Sequence, residues 1–182
     1  SVDRARTVLA VAVDGVPAGL ITCADAIRPG ARALVSELAA MQIETIMLTG
    51  DNQAAAAALA ESVGVRRFEA GVLPGDKARL VAELRAAGHF VFMVGDGVND
   101  APALAAADVS FAMGAGSNAA IATADITLVH NDPLHIASAI RLSRATLGKI
   151  RQNLFFAFFY NVLGIPLAAL GLLNPVIAGA AM

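Results

Sequence analysis

From Leu154 to Leu173 the chain runs for 20 residues without an Asp, Glu, Lys or Arg. A helix needs about 20 consecutive apolar residues to cross the hydrocarbon core of a bilayer, so this run has spanning length. Phe155, Phe156, Phe158, Phe159 and Tyr160 crowd its first part and leave no polar face of the kind a helix on a soluble core presents. A buried core helix is the competing reading, and that aromatic cluster disfavours it. Upstream, Arg141, Arg144, Lys149 and Arg151 form a basic cluster, which places that side of the span in the cytoplasm by the positive-inside rule. Pro166 is expected to kink or locally unwind the helix, and Asn174-Pro175 to end it. Composition agrees with a membrane part: 57% of residues are hydrophobic and 15% charged, too apolar for an ordinary soluble domain.

The remaining residues alternate apolar strands with helices. Thr7 to Val13 and Ala18 to Thr22 read as a hairpin across Asp14-Gly15-Val16-Pro17. Pro29 suits the first turn of a helix that runs to about Met41. Strand Ile43 to Leu48, helix Gln53 to Val63, strand Arg67 to Ala70 and helix Lys77 to Ala87 follow. Then come strand Phe90 to Val94, helix Ala101 to Ala106, strand Val109 to Met113, helix Asn118 to Thr123 and strand Ile126 to Val129. Such alternation predicts an α/β fold, a Rossmann-like parallel sheet with helices on both faces, followed here by the transmembrane helix. Ligands of such sheets bind beyond the carboxyl ends of the strands. Thr49 and Asp96 both fall there.

The run Gly95-Asp96-Gly97-Val98-Asn99-Asp100-Ala101-Pro102 puts two carboxylates and an amide on a glycine-relaxed turn after an apolar strand. Carboxylates at a buried strand's end, with glycines that admit close approach, suit Mg²⁺ beside a phosphate. Taken singly, each element has a plainer account. Thr49-Gly50-Asp51 is a strand-to-helix turn with an Asp cap, Lys77 a solvated lysine, and Gly-Asp-Gly an ordinary turn. A net charge of −2 without a basic, aromatic-laced stripe gives no reason to expect nucleic acid. Cys23 is the sole cysteine, which excludes an internal disulfide and fits a reducing compartment. His89, His130 and His135 lack ligand-like spacing.

Thr49-Gly50-Asp51, then Lys77 at a helix start, then Gly95 to Pro102 resemble, in that order, the phosphorylation domain of P-type ATPases, a haloacid-dehalogenase-type fold. Asp25-Ala26-Ile27-Arg28-Pro29 resembles the hinge by which such chains re-enter that domain. Ser143 to Thr146 and Ile150 to Leu154 are similar to the heavy-metal class, and Tyr160-Asn161 with Gly164 to Leu167 to its copper-transporting subgroup. The resemblance implies a division into 1–24, the end of a nucleotide-binding domain, and 25–132, the phosphorylation domain. A cytoplasmic linker helix over 133–153, the span over 154–173 and the start of a last span over 176–182 complete it.

It further implies phosphoryl transfer, where positioning and charge neutralisation dominate. Asp96 is the expected Mg²⁺ ligand, and Asp100 a second carboxylate in or just behind the metal shell. Asn99 is expected to donate to a phosphate oxygen, with Thr49 and the Gly50 amide holding another. Lys77 offsets developing charge, and Asp51 either orients that loop or caps the next helix. Tyr160, Asn161 and Met182 are the implied residues for the transported metal; a thioether suits Cu(I). Packing and interhelical hydrogen bonding are the plain alternatives for these three. The implied whole is a copper-exporting pump of the cell membrane that uses ATP and Mg²⁺, with a copper chaperone as a candidate donor. The family's nucleophile motif Asp-Lys-Thr-Gly-Thr does not occur in this chain, so the chain alone is expected to be inactive. Both ends look cut. A pump for another heavy metal and a non-catalytic regulatory or binding membrane protein remain alternatives.

Overall fold

A computed structural model describes residues 7–23 and 27–171. It falls into two units, Ser1–Ala137 and Ser138–Met182.

In the first unit, β1 (Thr7–Val13) and β2 (Val16–Cys23) pair antiparallel. Asp14 and Gly15 join them with φ of 52° and 81°, the two left-handed residues that match a tight turn to the right-handed twist of a hairpin. The second strand therefore starts at Val16, earlier than the expected Ala18. Pro17 is accommodated because every strand of a two-stranded sheet is an edge.

α1 (Ala31–Ala40) starts after Gly30, whose φ is 85°. A Cβ at Gly30 would stand 2.8 Å from the Asp132 carboxylate, so both the backbone conformation and the space call for glycine. β3 (Ile46–Leu48), α2 (Gln53–Val63), β4 (Arg67–Glu69) and α3 (Pro74–Ala86) follow. β5 (Phe92–Gly95) leads through a 3-10 turn at Val98–Asp100 into α4 (Ala101–Ala106). β6 (Val109–Met113), α5 (Asn118–Thr123) and β7 (Ile126–Leu128) complete the alternation.

Pairing is parallel throughout this part, but in two pieces: β3 with β4, and β5 with β6 with β7. β3 and β5 thus each have a single strand partner among the described residues. Each piece has its own core. Val81, Met93, Leu104 and Ala112 pack with the fully buried Ala103 and Ala120 in one, and Ala60, Val63 and Val65 form the other. Alanine at the helix contacts lets helices approach their neighbours closely.

α6 (Leu134–Ala169) begins in the first unit and runs through the second. By length and composition it can cross a membrane, and none of its most apolar window is buried. No core among the described residues covers it, which disfavours the core-helix reading. Pro166 lies inside the helix rather than ending it, and the Leu170 amide donates to its carbonyl at 3.0 Å. Asp25, Ala26 and residues 172–182, including the expected stop at Asn174-Pro175 and the metal candidate Met182, lie outside the described residues.

Candidate functional site

Strands β3, β5 and β6 each end in a short polar or glycine-rich turn at the carboxyl end of a parallel pair. After β5 the chain closes on itself. The Asp100 side chain folds back so that one carboxylate oxygen accepts the Gly97 amide at 3.1 Å and the Asp96 amide at 3.3 Å. Its other oxygen accepts Lys77 Nζ from the first turn of α3 at 2.8 Å. Gly95 permits this turn, because a Cβ there would stand 2.6 Å from the Asp100 Cβ.

Lys77 and Asp100 are 17% and 11% exposed at their side chains, so Lys77 is not the solvated lysine its isolated sequence context suggests. Burial pushes the Asp100 carboxyl up. The Lys77 hydrogen bond and charge and the amides of Gly97 and Asp96 together outweigh it and hold the group below the ordinary 3.8.

Asp96 differs. Its side chain is half exposed, and its Oδ2 accepts the Arg28 guanidinium at 2.6 Å. Its carbonyl accepts the Ser117 amide at 2.7 Å from the turn after β6. The two carboxylates of the octapeptide therefore have separate tasks. Asp100 is committed to lysine and loop amides, and Asp96 presents oxygen outward. Mg²⁺ is commonly held by one or two carboxylates together with phosphate oxygens and water, and the hard oxygen donor at Asp96 fits that pattern. Among the described residues no cluster of three His, Cys, Asp or Glu could hold a metal alone. Asn99 is exposed on the 3-10 turn.

Thr49, Gly50 and Asp51 form a separate knot after β3. Thr49 Oγ1 donates to Asp51 Oδ2 at 2.9 Å and accepts the Asp51 amide at 3.1 Å. Asp51 orients its loop and does not cap α2; the cap is Asn52, whose side chain accepts the Ala55 amide at 3.0 Å. Gly50 is exposed beside it.

On α6, Asn161 Nδ2 donates to the Ala157 carbonyl one turn back at 2.9 Å, and the Tyr160 ring lies alongside Gly164. Met182 falls outside the described residues.

Two contacts escaped sequence reasoning. Arg28 was read only as part of a hinge, and Ser117 was not singled out. The signal for Ser117 was present: Gly114-Ala115-Gly116-Ser117 follows a parallel strand at its carboxyl end, where ligand-facing turns gather. Arg28 had no local signal, since its partner lies 68 positions away.

Residues 2–108 match the family model for haloacid dehalogenase-like hydrolases, and residues 78–140 match a second model of that description. The chain belongs to the haloacid dehalogenase-like hydrolases. It is 54% identical over 97% of its length to a probable copper-transporting ATPase, PacS, of Synechocystis sp., covering 25% of that protein. A copper-exporting P-type ATPase of Bacillus subtilis is 51% identical over 97% of the chain, which covers 22% of it. Among solved structures, a zinc-transporting PIB-type ATPase in its E2.Pi state superposes with a TM-score of 0.84 at 39% identity. That match covers 97% of this chain and 29% of the other. The chain thus spans about a quarter of the length of the curated relatives it matches. The resemblance to P-type ATPases, drawn from Thr49-Gly50-Asp51, Lys77 and Gly95 to Pro102, and to their heavy-metal class, drawn from Ser143 to Thr146 and Ile150 to Leu154, agrees with these relatives.

Proposed function

We propose that this chain is part of an ATP-driven pump that exports copper from the cytoplasm through an aspartyl-phosphate intermediate. The observation that carries this reading is the partly buried Lys77–Asp100 pair closing the loop that presents Asp96. A lysine from one motif and a carboxylate from another meet beside that second motif's other, outward-facing carboxylate at the end of a parallel strand. That arrangement suits transfer of a phosphoryl group, where fixed charge and geometry supply most of the catalysis.

In this reading Asp96 binds Mg²⁺, which neutralises charge on the transferring group when bound. Asp100 fixes the loop, and Lys77 contributes positive charge beside the site. The Thr49 hydroxyl, the Gly50 amide and the Asn99 amide hold phosphate oxygens. The nucleophilic aspartate comes from outside these 182 residues, because no Asp-Lys-Thr-Gly-Thr occurs among them. Its strand is assigned to the free edges of β3 and β5, each of which has one partner only among the described residues. The chain by itself is inactive in this account.

Residues 1–24 belong to a nucleotide-binding domain, 25–132 to the phosphorylation domain, and α6 anchors the protein in the cell membrane. Tyr160 and Asn161 contribute to the site of the transported ion, a role the family resemblance also implies for Met182, and a copper chaperone delivers that ion.

Copper as cargo is supported by the names of the PacS and Bacillus subtilis relatives. The zinc-transporting structure at 39% identity supports a second reading, another heavy metal. The deciding experiment measures phosphoenzyme formed from labelled ATP in the parent pump with Cu(I) or Zn²⁺. Stimulation by Cu(I) alone is expected; stimulation by Zn²⁺ alone overturns copper as cargo. In the same assay Asp96→Asn is expected to abolish phosphoenzyme while metal binding in the membrane persists. Phosphoenzyme at the parent level in that variant sinks the Mg²⁺ assignment.

A further inference from the structure

The turn after β6 holds the backbone of Asp96. Ser117 donates its amide to the Asp96 carbonyl at 2.7 Å, and Gly116 donates to Met113 at 2.7 Å, which tightens the turn. The Ala115 amide is held by Asn131 Oδ1 at 3.0 Å. A Cβ on Gly116 would stand 2.8 Å from the Asp96 carbonyl oxygen, 3.1 Å from its Cα and 2.8 Å from the Met113 carbonyl. Every one of these neighbours is backbone, so no side chain can swing aside to make room. Gly114, two residues earlier, faces elsewhere: a Cβ there would run into the Leu128 and Val129 carbonyls. The two glycines are thus required for different reasons. One lets the turn pass the exit of β7, and the other lets it press against Asp96.

We propose that Gly116 and the Ser117 amide are positioning residues that set where the Asp96 carboxylate stands, so that this turn tunes cation affinity without touching the cation. The inference rests on the reading of Asp96 as a Mg²⁺ ligand. The carboxylate leaves the same Cα that Gly116 abuts, and the carbonyl of that residue is tied to Ser117. A shift of this backbone therefore moves the ligand directly. Partners behind a metal ligand typically control affinity by about tenfold or more.

Ser117 offers a matched pair of variants. Its φ of −65° is one that proline adopts, and its hydroxyl caps α5 by accepting the Ala120 amide. Ser117→Pro removes the cap and the amide donated to Asp96 and sets a ring carbon against the Asp96 carbonyl, displacing that backbone, whereas Ser117→Ala removes only the cap.

The test titrates the isotope-labelled full chain in detergent micelles with Mg²⁺ alone and follows the amide resonances of Asp96 and Gly97, alongside the melting temperature. Gly116→Ala and Ser117→Pro are expected to weaken Mg²⁺ binding by about tenfold. Ser117→Ala keeps the parent affinity. Asp96→Asn abolishes the response. Parent-level affinity in Gly116→Ala and Ser117→Pro, with the response lost in Asp96→Asn, overturns the positioning role and leaves Asp96 as the ligand. A parent-level response in Asp96→Asn overturns the reading of Asp96 itself. Where Gly116→Ala does not fold, the comparison of Ser117→Pro with Ser117→Ala decides: equal affinities overturn the proposal, and a weaker proline variant supports it.

Discussion

Lys77 and Asp100 stand 2.8 Å apart with little water around either, and each is tolerable there because the other is present. Removing one leaves an uncompensated buried charge. Lys77→Met should therefore cost about 3–5 kcal/mol of unfolding free energy, while Lys77→Met with Asp100→Asn, which keeps an oxygen for the Gly97 and Asp96 amides, costs less. Urea denaturation of the single and double variants checks this. The same pair gives a pH signature. The Asp100 carboxyl is held below its ordinary 3.8 in the folded protein, so unfolding takes up a proton in the acid range. Its stabilising contribution is complete above that ordinary value and disappears as pH falls through the depressed one. The difference in urea midpoint between parent and Asp100→Asn should hold steady from neutral pH down to the carboxylate range, then close. A difference that persists into strong acid would contradict the depressed value.

At the scale of elements, capping and cross-strand ties separate neighbours that look alike in sequence. Asn52→Ala should destabilise the protein by about 1 kcal/mol, since it removes the oxygen that accepts the Ala55 amide at the start of α2. Asp51→Ala should leave that cap untouched and instead loosen Thr49, whose hydroxyl it holds; thermal melts of the two variants compare them. Ser110 is 1% exposed and exchanges hydrogen bonds with Asp125, which ties β6 to the start of β7. Ser110→Ala should cost about 1 kcal/mol, because it removes the buried hydroxyl from the exchange while the exposed Asp125 keeps the Ser110 amide and water; denaturant unfolding reads the loss.

Element type was legible in the sequence more fully than element limits. Gln53–Val63 and Val109–Met113 coincide with the periodic stretches that predict them. The apolar run from Ile43 extends beyond the strand, because only Ile46–Leu48 find partners in Arg67–Glu69. A strand is defined by what pairs with it, which the run itself does not carry. α3 starts at Pro74 rather than Lys77; Leu73 precedes it without a side-chain cap, so the usual start signal is missing there.

For the molecule as a whole, the helix Leu134–Ala169 decides the solvent. Leu163→Lys places a charge near the middle of the charge-free run and should reduce membrane insertion by about 3 kcal/mol. Glycosylation mapping of the span would register that as a lost or fractional insertion; full insertion of the variant would argue against this segment as the bilayer-crossing one. The parallel strands pose the complementary case. The alternation predicts parallel pairing, which the strands show, while their grouping among the described residues into β3–β4 and β5–β6–β7 depends on which partner strands are at hand, and period alone does not carry that.

The sequence by itself determined the α/β alternation, the spanning helix and the places where polar motifs leave the strands. These follow from local chemistry: apolar period, charge-free length, and glycine beside carboxylate. Only the tertiary structure decided that Asp100 turns inward to Lys77 while Asp96 turns outward to Arg28, and that Ser117 grips Asp96 from behind. Two aspartates four positions apart are chemically identical in a string of residues. They part company through contacts with residues 23 and 68 positions away, and such contacts exist only once the strands have paired and the helices have packed.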